Sequence, residues 1–123
     1  KNRWTNVNVM ESSAQEVLLK GQFDGLLMFA APDVFASEEA LSNLLPHLKV
    51  GAYIVAFGAK TSSHPVGRFF NPILKLLMRL SHPTTPKLNP EPWSVMANHS
   101  DQIVVREYFF GLMFLASGPK KQV

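Results

Sequence analysis

The chain has 123 residues, 46% of them hydrophobic, which suffices for one core and is near the commonest size of a single domain. Cysteine is absent, which excludes disulfides, thiolate metal sites and cysteine nucleophiles. No run reaches the roughly 18 consecutive apolar residues that cross a bilayer. The net charge of +3 is unevenly spread: residues 1–60 hold five basic and six acidic residues, residues 91–123 hold three of each, and Arg68, Lys75, Arg79 and Lys87 stand between 61 and 90 with no acidic residue.

Lys1 opens a polar stretch unlike a signal peptide. The sequence "WTNVNVMESSAQEVLL" alternates apolar and polar residues around Val7 and Val9, which predicts a short half-buried strand. Ser13 follows as a cap for a helical turn over Ala14–Leu19, and "KGQ" supplies a loop. "FDGLLMFAA" then reads as a strand apolar on both faces, as in a parallel sheet covered on both sides. "SEEALSNLLPHLK" has Ser37 as N-cap, Glu38 and Glu39 in the first turn, and a stripe of Leu41, Leu44, Leu45 and Leu48 that Pro46 kinks or ends early. "VGAYIVAFGAK" is a second doubly buried strand with Lys60 at its far end. In the segment after it, Asn71 and Pro72 look like an N-cap and first helical residue, which predicts a helix from 72 to about 81. "EPWSVMANHS" is a short helix, and "DQIVVREYFFG" with "LMFLASGPKK" is an antiparallel hairpin joined at Gly111.

Four blocks in order carry a family resemblance: "NVNVMESSAQEV", "FDGLLMFAAPDVF", "LPHLKVGAYIVAFGAK" and "PWSVMANHSDQIVVREYFFGLMFLASGPKK". Together they resemble the C-terminal half of a class I S-adenosylmethionine-dependent methyltransferase. The resemblance implies an α/β fold: a partial Rossmann-like sheet of the family's strands three to seven, closing in an antiparallel hairpin, as one domain over 1–123. In that family a phenylalanine-aspartate pair opens strand four, a leucine-lysine-proline-glycine-glycine turn precedes strand five, and the hairpin ends in glycine-x-lysine. Here Leu48, Lys49, Val50, Gly51 and Ala52 keep the first glycine of the turn and lose the proline and the second glycine.

The resemblance further implies S-adenosylmethionine as cofactor. Ligands in open α/β sheets lie outside the carboxyl ends of the strands, so Met28, Phe29 and Ala30 are expected at the cofactor crevice and Pro32 turns the chain away. Ser13 and Ala14 fall where the family meets the adenine; the Ser13 hydroxyl can bond an amino group, or simply cap a helix. The family's glycine-rich loop and ribose-binding acidic residue are missing, and no Gly-x-Gly occurs in the chain. A fragment, a natural half-domain and a chain completed by another polypeptide all account for this, and the lack of an initiator methionine favours the fragment. In the family's strand order, 3-2-1-4-5-7-6, losing strands one and two bares an edge of strand four, so the expected partners are a second copy or the missing N-terminal half.

Residues 61–90 lie where such enzymes carry the loop and helix that cover the acceptor. Lys60, His64, Arg68, Lys75 and Arg79 are the candidate substrate-binding residues. Lys75 and Arg79 share a helical face, which Arg68 joins only if the helix starts earlier. A broad apolar arc beside this cationic stripe suits a lipid interface; packing into the sheet is the plainer alternative. The stretch looks most like the branch acting on lipid headgroups or quinones. The basic residues are too few and lack an aromatic platform for nucleic acid. No residue is assigned as catalytic, His64 included, and the scattered histidines at 47, 64, 82 and 99 give no metal site. The expected function is methyl transfer to a small-molecule or lipid acceptor, inactive as this chain alone. The alternative is a non-catalytic dimerising module that binds a membrane or a protein partner. A different nucleotide-binding domain fits the closing hairpin poorly. The expected location is cytoplasmic or at a membrane surface.

Overall fold

The structure is a computed structural model that describes residues 5–60, 64–81 and 91–121. Its elements are β1 (Phe23–Phe29), α1 (Pro32–Phe35), α2 (Glu38–Leu44), a 3-10 turn (Leu45–His47), β2 (Leu48–Ala59), α3 (Pro65–Ser81), α4 (Ser94–Ala97), β3 (Val104–Tyr108) and β4 (Met113–Pro119). They build one mixed α/β unit on a four-stranded open sheet of order β1-β2-β4-β3. β1 and β2 are parallel, and the other two pairs are antiparallel. This is the expected order of the family's strands 4-5-7-6, without the strand three expected around Val7 and Val9.

Local chemistry sets most boundaries. The Ser37 hydroxyl accepts the Ala40 N–H at 3.1 Å, capping α2, and Pro46 converts its end into the 3-10 turn. Gly51 adopts φ +80°, at the irregularity where β2 gains residues between the partners of Phe23 and Gly25. That conformation favours glycine, whereas Ala52, in place of a second glycine, is buried in the core. Pro32 opens α1 at its first position.

One face of the sheet carries the core. Met28 of β1, Ile54 and Ala56 of β2, and Phe114 and Ala116 of β4 pack with Phe35, Leu41, Leu45 and Met96 of the helical layer. Phe35 meets the Phe114 ring edge-on at 5.4 Å, and Trp93 lies 5.3 Å from the same ring. Lys60, next in that row after β2, is only 3% exposed. Its Nζ lies 2.8 Å from Glu107 Oε1 and 5.9 Å from the centre of the Trp93 ring.

Three expectations are corrected. β1 is not covered on both faces: Leu27 is 69% exposed, and Phe29 and Tyr53 beside it are also open, because the described helices α1, α2 and α4 pack on the opposite face. Val7 and Val9 lie in an irregular, exposed stretch instead of a strand, since no described strand runs along the free edge of β1 to offer backbone partners. The helix over Ala14–Leu19 is only a turn, in which Val17 N–H donates to Ser13 O at 2.9 Å.

The glycine-x-lysine close of the hairpin has a packing cause. A Cβ on Gly118 would collide with the Gln102 carbonyl and the Ser100 hydroxyl. Ser100 Oγ also donates to Pro119 O at 2.7 Å, and Lys120 Nζ donates to Leu48 O at 3.0 Å, locking β4 to the start of β2. Gly118→Ala is therefore expected to lower stability by about 2 kcal/mol, read as a lower urea midpoint at unchanged slope. Glu107→Ala weakens the compensation of a buried ammonium and is expected to lower stability by about 2 kcal/mol. Asp24→Ala removes only the exposed 2.7 Å pair with Lys49 and should stay under about 1 kcal/mol in the same titration.

Candidate functional site

The carboxyl ends of the parallel strands β1 and β2 point to one end of the sheet. β4 runs antiparallel to β2, with Ala59 opposite Met113, so the β3–β4 turn at Phe109, Phe110 and Gly111 lies at that same end. α3 also begins there, and His64 and Phe110 bring their rings to 5.5 Å. The end of β1, the start of α3 and the hairpin tip thus share the end of the sheet where open α/β folds hold their ligand crevice.

The expected cofactor contacts divide between two places. At the end of β1 the Phe29 ring stacks on Phe57 at 5.1 Å and 9°, presenting a flat exposed platform. Ala30 turns left-handed at φ +51°, and its N–H donates to Phe57 O at 2.7 Å. The Met28 side chain is in the core, so only its backbone can face the crevice. Ser13 and Ala14 sit in the turn held against α2, where Asn43 Nδ2 donates to Ala14 O at 3.0 Å and to Val17 O at 2.9 Å. Gln15 donates to Asp33 O at 3.2 Å, three residues past Ala30, which draws this turn towards the corner where β1 ends. The exposed Ser13 hydroxyl lies 3.5 Å from Glu16 Oε2. These residues offer an aromatic surface at one place and a hydroxyl at the other. No described loop offers a backbone cradle for a cofactor's charged end.

The substrate candidates are not one cluster. Lys60 is held within the core by Glu107 and Trp93, a structural position that sequence reasoning missed because the row of Ile54, Ala56 and Gly58 continues onto it. His64 Nδ1 accepts the Val66 N–H at 3.2 Å and its carbonyl accepts the Arg68 N–H at 2.8 Å, so His64 caps α3 ahead of Pro65. The helix therefore starts at Pro65 instead of Pro72, which lies inside it. This earlier start brings Arg68 onto the face of Lys75 and Arg79, at spacings of seven and four. Lys87 lies outside the described residues.

Away from this end, a depression of about 420 Å³ is lined by Leu45, Pro46, His99, Lys120 and Lys121. It lies at the opposite end of the sheet from the crevice. Among the described residues no group of three His, Asp or Glu could hold a metal, and no helix is long and apolar enough to cross a membrane.

The sequence matches no protein-family model and no curated protein. Several solved structures are similar in fold, three of them as follows. A possible histamine N-methyltransferase from Thermotoga maritima, described as SAM-dependent, superposes with TM-score 0.68 at 20% identity, covering 94% of this chain and 65% of that one. The N-methyltransferase NodS from Bradyrhizobium japonicum, in complex with S-adenosyl-L-homocysteine, gives 0.62 at 13% identity over 98% of this chain and 57% of that one. A putative O-methyltransferase from Nostoc punctiforme gives 0.59 at 18% identity over 90% and 36%. The chain thus spans less than two thirds of the length of these relatives, and over that span it has the α/β fold of S-adenosylmethionine-dependent methyltransferases.

Proposed function

We propose that the chain is the C-terminal part of an S-adenosylmethionine-dependent methyltransferase, acting on a small-molecule or lipid acceptor and inactive as these 123 residues alone. The observation that carries this reading is the sheet order β1-β2-β4-β3 with its antiparallel close, matched on N- and O-methyltransferases. The bound cofactor supplies an activated methyl group on a sulfonium, and the protein's share is alignment of an acceptor atom with it. In this chain Phe29, Ala30 and the backbone of Met28, with Ser13 and Ala14, line the adenine side. The charged end of the cofactor needs groups from outside the described residues. His64, Arg68, Lys75 and Arg79 stand around or above the mouth as acceptor contacts, and Lys60 supports the mouth from within.

Calorimetric titration with S-adenosylhomocysteine tests this reading. Weak saturable binding is expected for the isolated chain, lost in Phe29→Ala. Absence of any heat up to millimolar ligand, both alone and after adding the part of a fold relative that this chain does not match, counts against the cofactor site.

A second reading, a dimerising module, is favoured by one observation: no described strand covers the outer edge of β1, whose face also leaves Leu27 and Phe29 open. From Gly25 to Phe29 this edge carries no charge, and an apolar edge of this kind recruits another strand. Self-association at micromolar concentration is expected in light scattering, with Leu27→Lys shifting the mass to a monomer. A monodisperse wild-type monomer sinks the edge-pairing idea.

A further inference from the structure

α3 is 17 residues long, about 25 Å of helix, and its sides have three different characters. Gly67 is buried and Asn71 and Leu74 are half-buried, so this is the helix's covered line. Arg68, Lys75 and Arg79 form the cationic stripe. Val66, Phe69, Phe70, Ile73, Leu76, Leu77 and Leu80 occupy an arc of about 120° and are all exposed, Phe69 by 77%. A surface helix ordinarily turns such an arc inward; here the inward line is another one.

A second observation points the same way. Phe109 and Phe110, at the hairpin tip, are consecutive bulky residues in the left-handed region, at φ +53° and +57°. Turns of this kind favour Asn and Gly, and an aromatic pair there carries strain. Phe109 is 72% exposed, so burial does not repay it. His64 joins the two features, capping α3 while its ring lies against Phe110.

We propose that the apolar arc of α3 and the Phe109–Phe110 tip dock on an anionic lipid surface, setting the crevice mouth against the bilayer. Charge selects this occupant. The helix has three cations and no acidic residue, and residues 61–90 contain none either, so the stripe complements phosphate headgroups while the arc enters the acyl boundary. A second copy is a poorer match: antiparallel two-fold pairing through the arc brings each cationic edge against its own equivalent. That the surface delivers an acceptor rests on the methyltransferase reading, whereas the docking itself does not.

The test is co-sedimentation of the 123-residue chain with vesicles of phosphatidylcholine, alone or mixed with phosphatidylglycerol. Binding is expected to the mixed vesicles only. It should weaken about five-fold for each of Lys75→Gln and Arg79→Gln. It should be lost in Leu76→Asn/Leu80→Asn, whose far-ultraviolet dichroism and melting temperature stay at wild-type values because both leucines are exposed. Wild-type protein left in the supernatant with mixed vesicles overturns the proposal, as does unchanged binding by the variants. If Leu76→Asn/Leu80→Asn instead converts a dimer to a monomer and leaves sedimentation unchanged, the arc belongs to a second copy. S-adenosylhomocysteine titration on separate samples keeps the two readings apart: vesicle binding without cofactor binding retains the docking alone, and the reverse removes it alone.

Discussion

Strand β2 pairs on both sides, in parallel with β1 and antiparallel with β4, and the rest of the molecule depends on the register of those two ladders. Side chains alternate along a strand, so the pairing Ala56 with Ala116 places Ile54, Ala56 and Gly58 on the same face as Phe114 and Gly118. That face receives Phe35, Leu41 and Met96 from the helical layer. A slip of one residue would turn Tyr53, Val55 and Phe57 inward and carry Lys60 out of reach of Glu107. Gly118 fixes the slide, because only a residue without Cβ fits under the Gln102 carbonyl.

The same alternation explains why one face is closed and the other open. α1, α2 and α4 all pack on the side of Met28 and Ile54, so the opposite residues Leu27, Phe29 and Tyr53 remain exposed. An uncharged face beside an edge that no described strand pairs is unusual for an isolated sheet and costs solubility. More than a third of each of these two fold relatives' length lies outside the match with this chain.

Signals contained within one element were legible in the sequence. Ser37 beside Glu38 and Glu39 named a helix start, the glycine at 51 named a turn, which the structure makes at positive φ, and two apolar runs around Gly111 named the hairpin. Signals that depend on a neighbour were not. Val7 and Val9 alternate like a strand, yet a strand needs a backbone partner and none of the described ones is there. "GLLMFAA" has the composition of a doubly buried strand, but composition does not say which helices are present to bury it. Asn71-Pro72 is a good helix start that loses to His64-Pro65 seven residues earlier, where an imidazole acceptor does the work of the usual Ser or Asp. With that start misplaced, Arg68 drops out of the cationic stripe and the length of the apolar arc along the helix is underestimated. At the site, Met28 and Lys60 were assigned from chain position alone, and the parity of their strands puts both side chains in the core.

The two ends of the sheet differ in kind. At the end where β2 begins, polar groups are satisfied within the chain: Lys120 donates to Leu48 O, Ser100 to Pro119 O, and Lys49 meets Asp24. At the other end the chain accepts strain and exposure together. Ala30, Phe109 and Phe110 all stand at positive φ without being glycine, and Phe29, Phe69, Phe109 and Phe110 show their rings to solvent. Strain of this kind costs about 1–3 kcal/mol per residue and persists where surrounding structure holds it for a purpose. Packing does not require it, since the core closes through Phe35, Phe114 and Met96 without these residues. The mouth therefore departs from what a stable isolated domain would choose, at the end where open α/β sheets bind ligands, and the part of the chain least explained by folding coincides with the part best placed for chemistry.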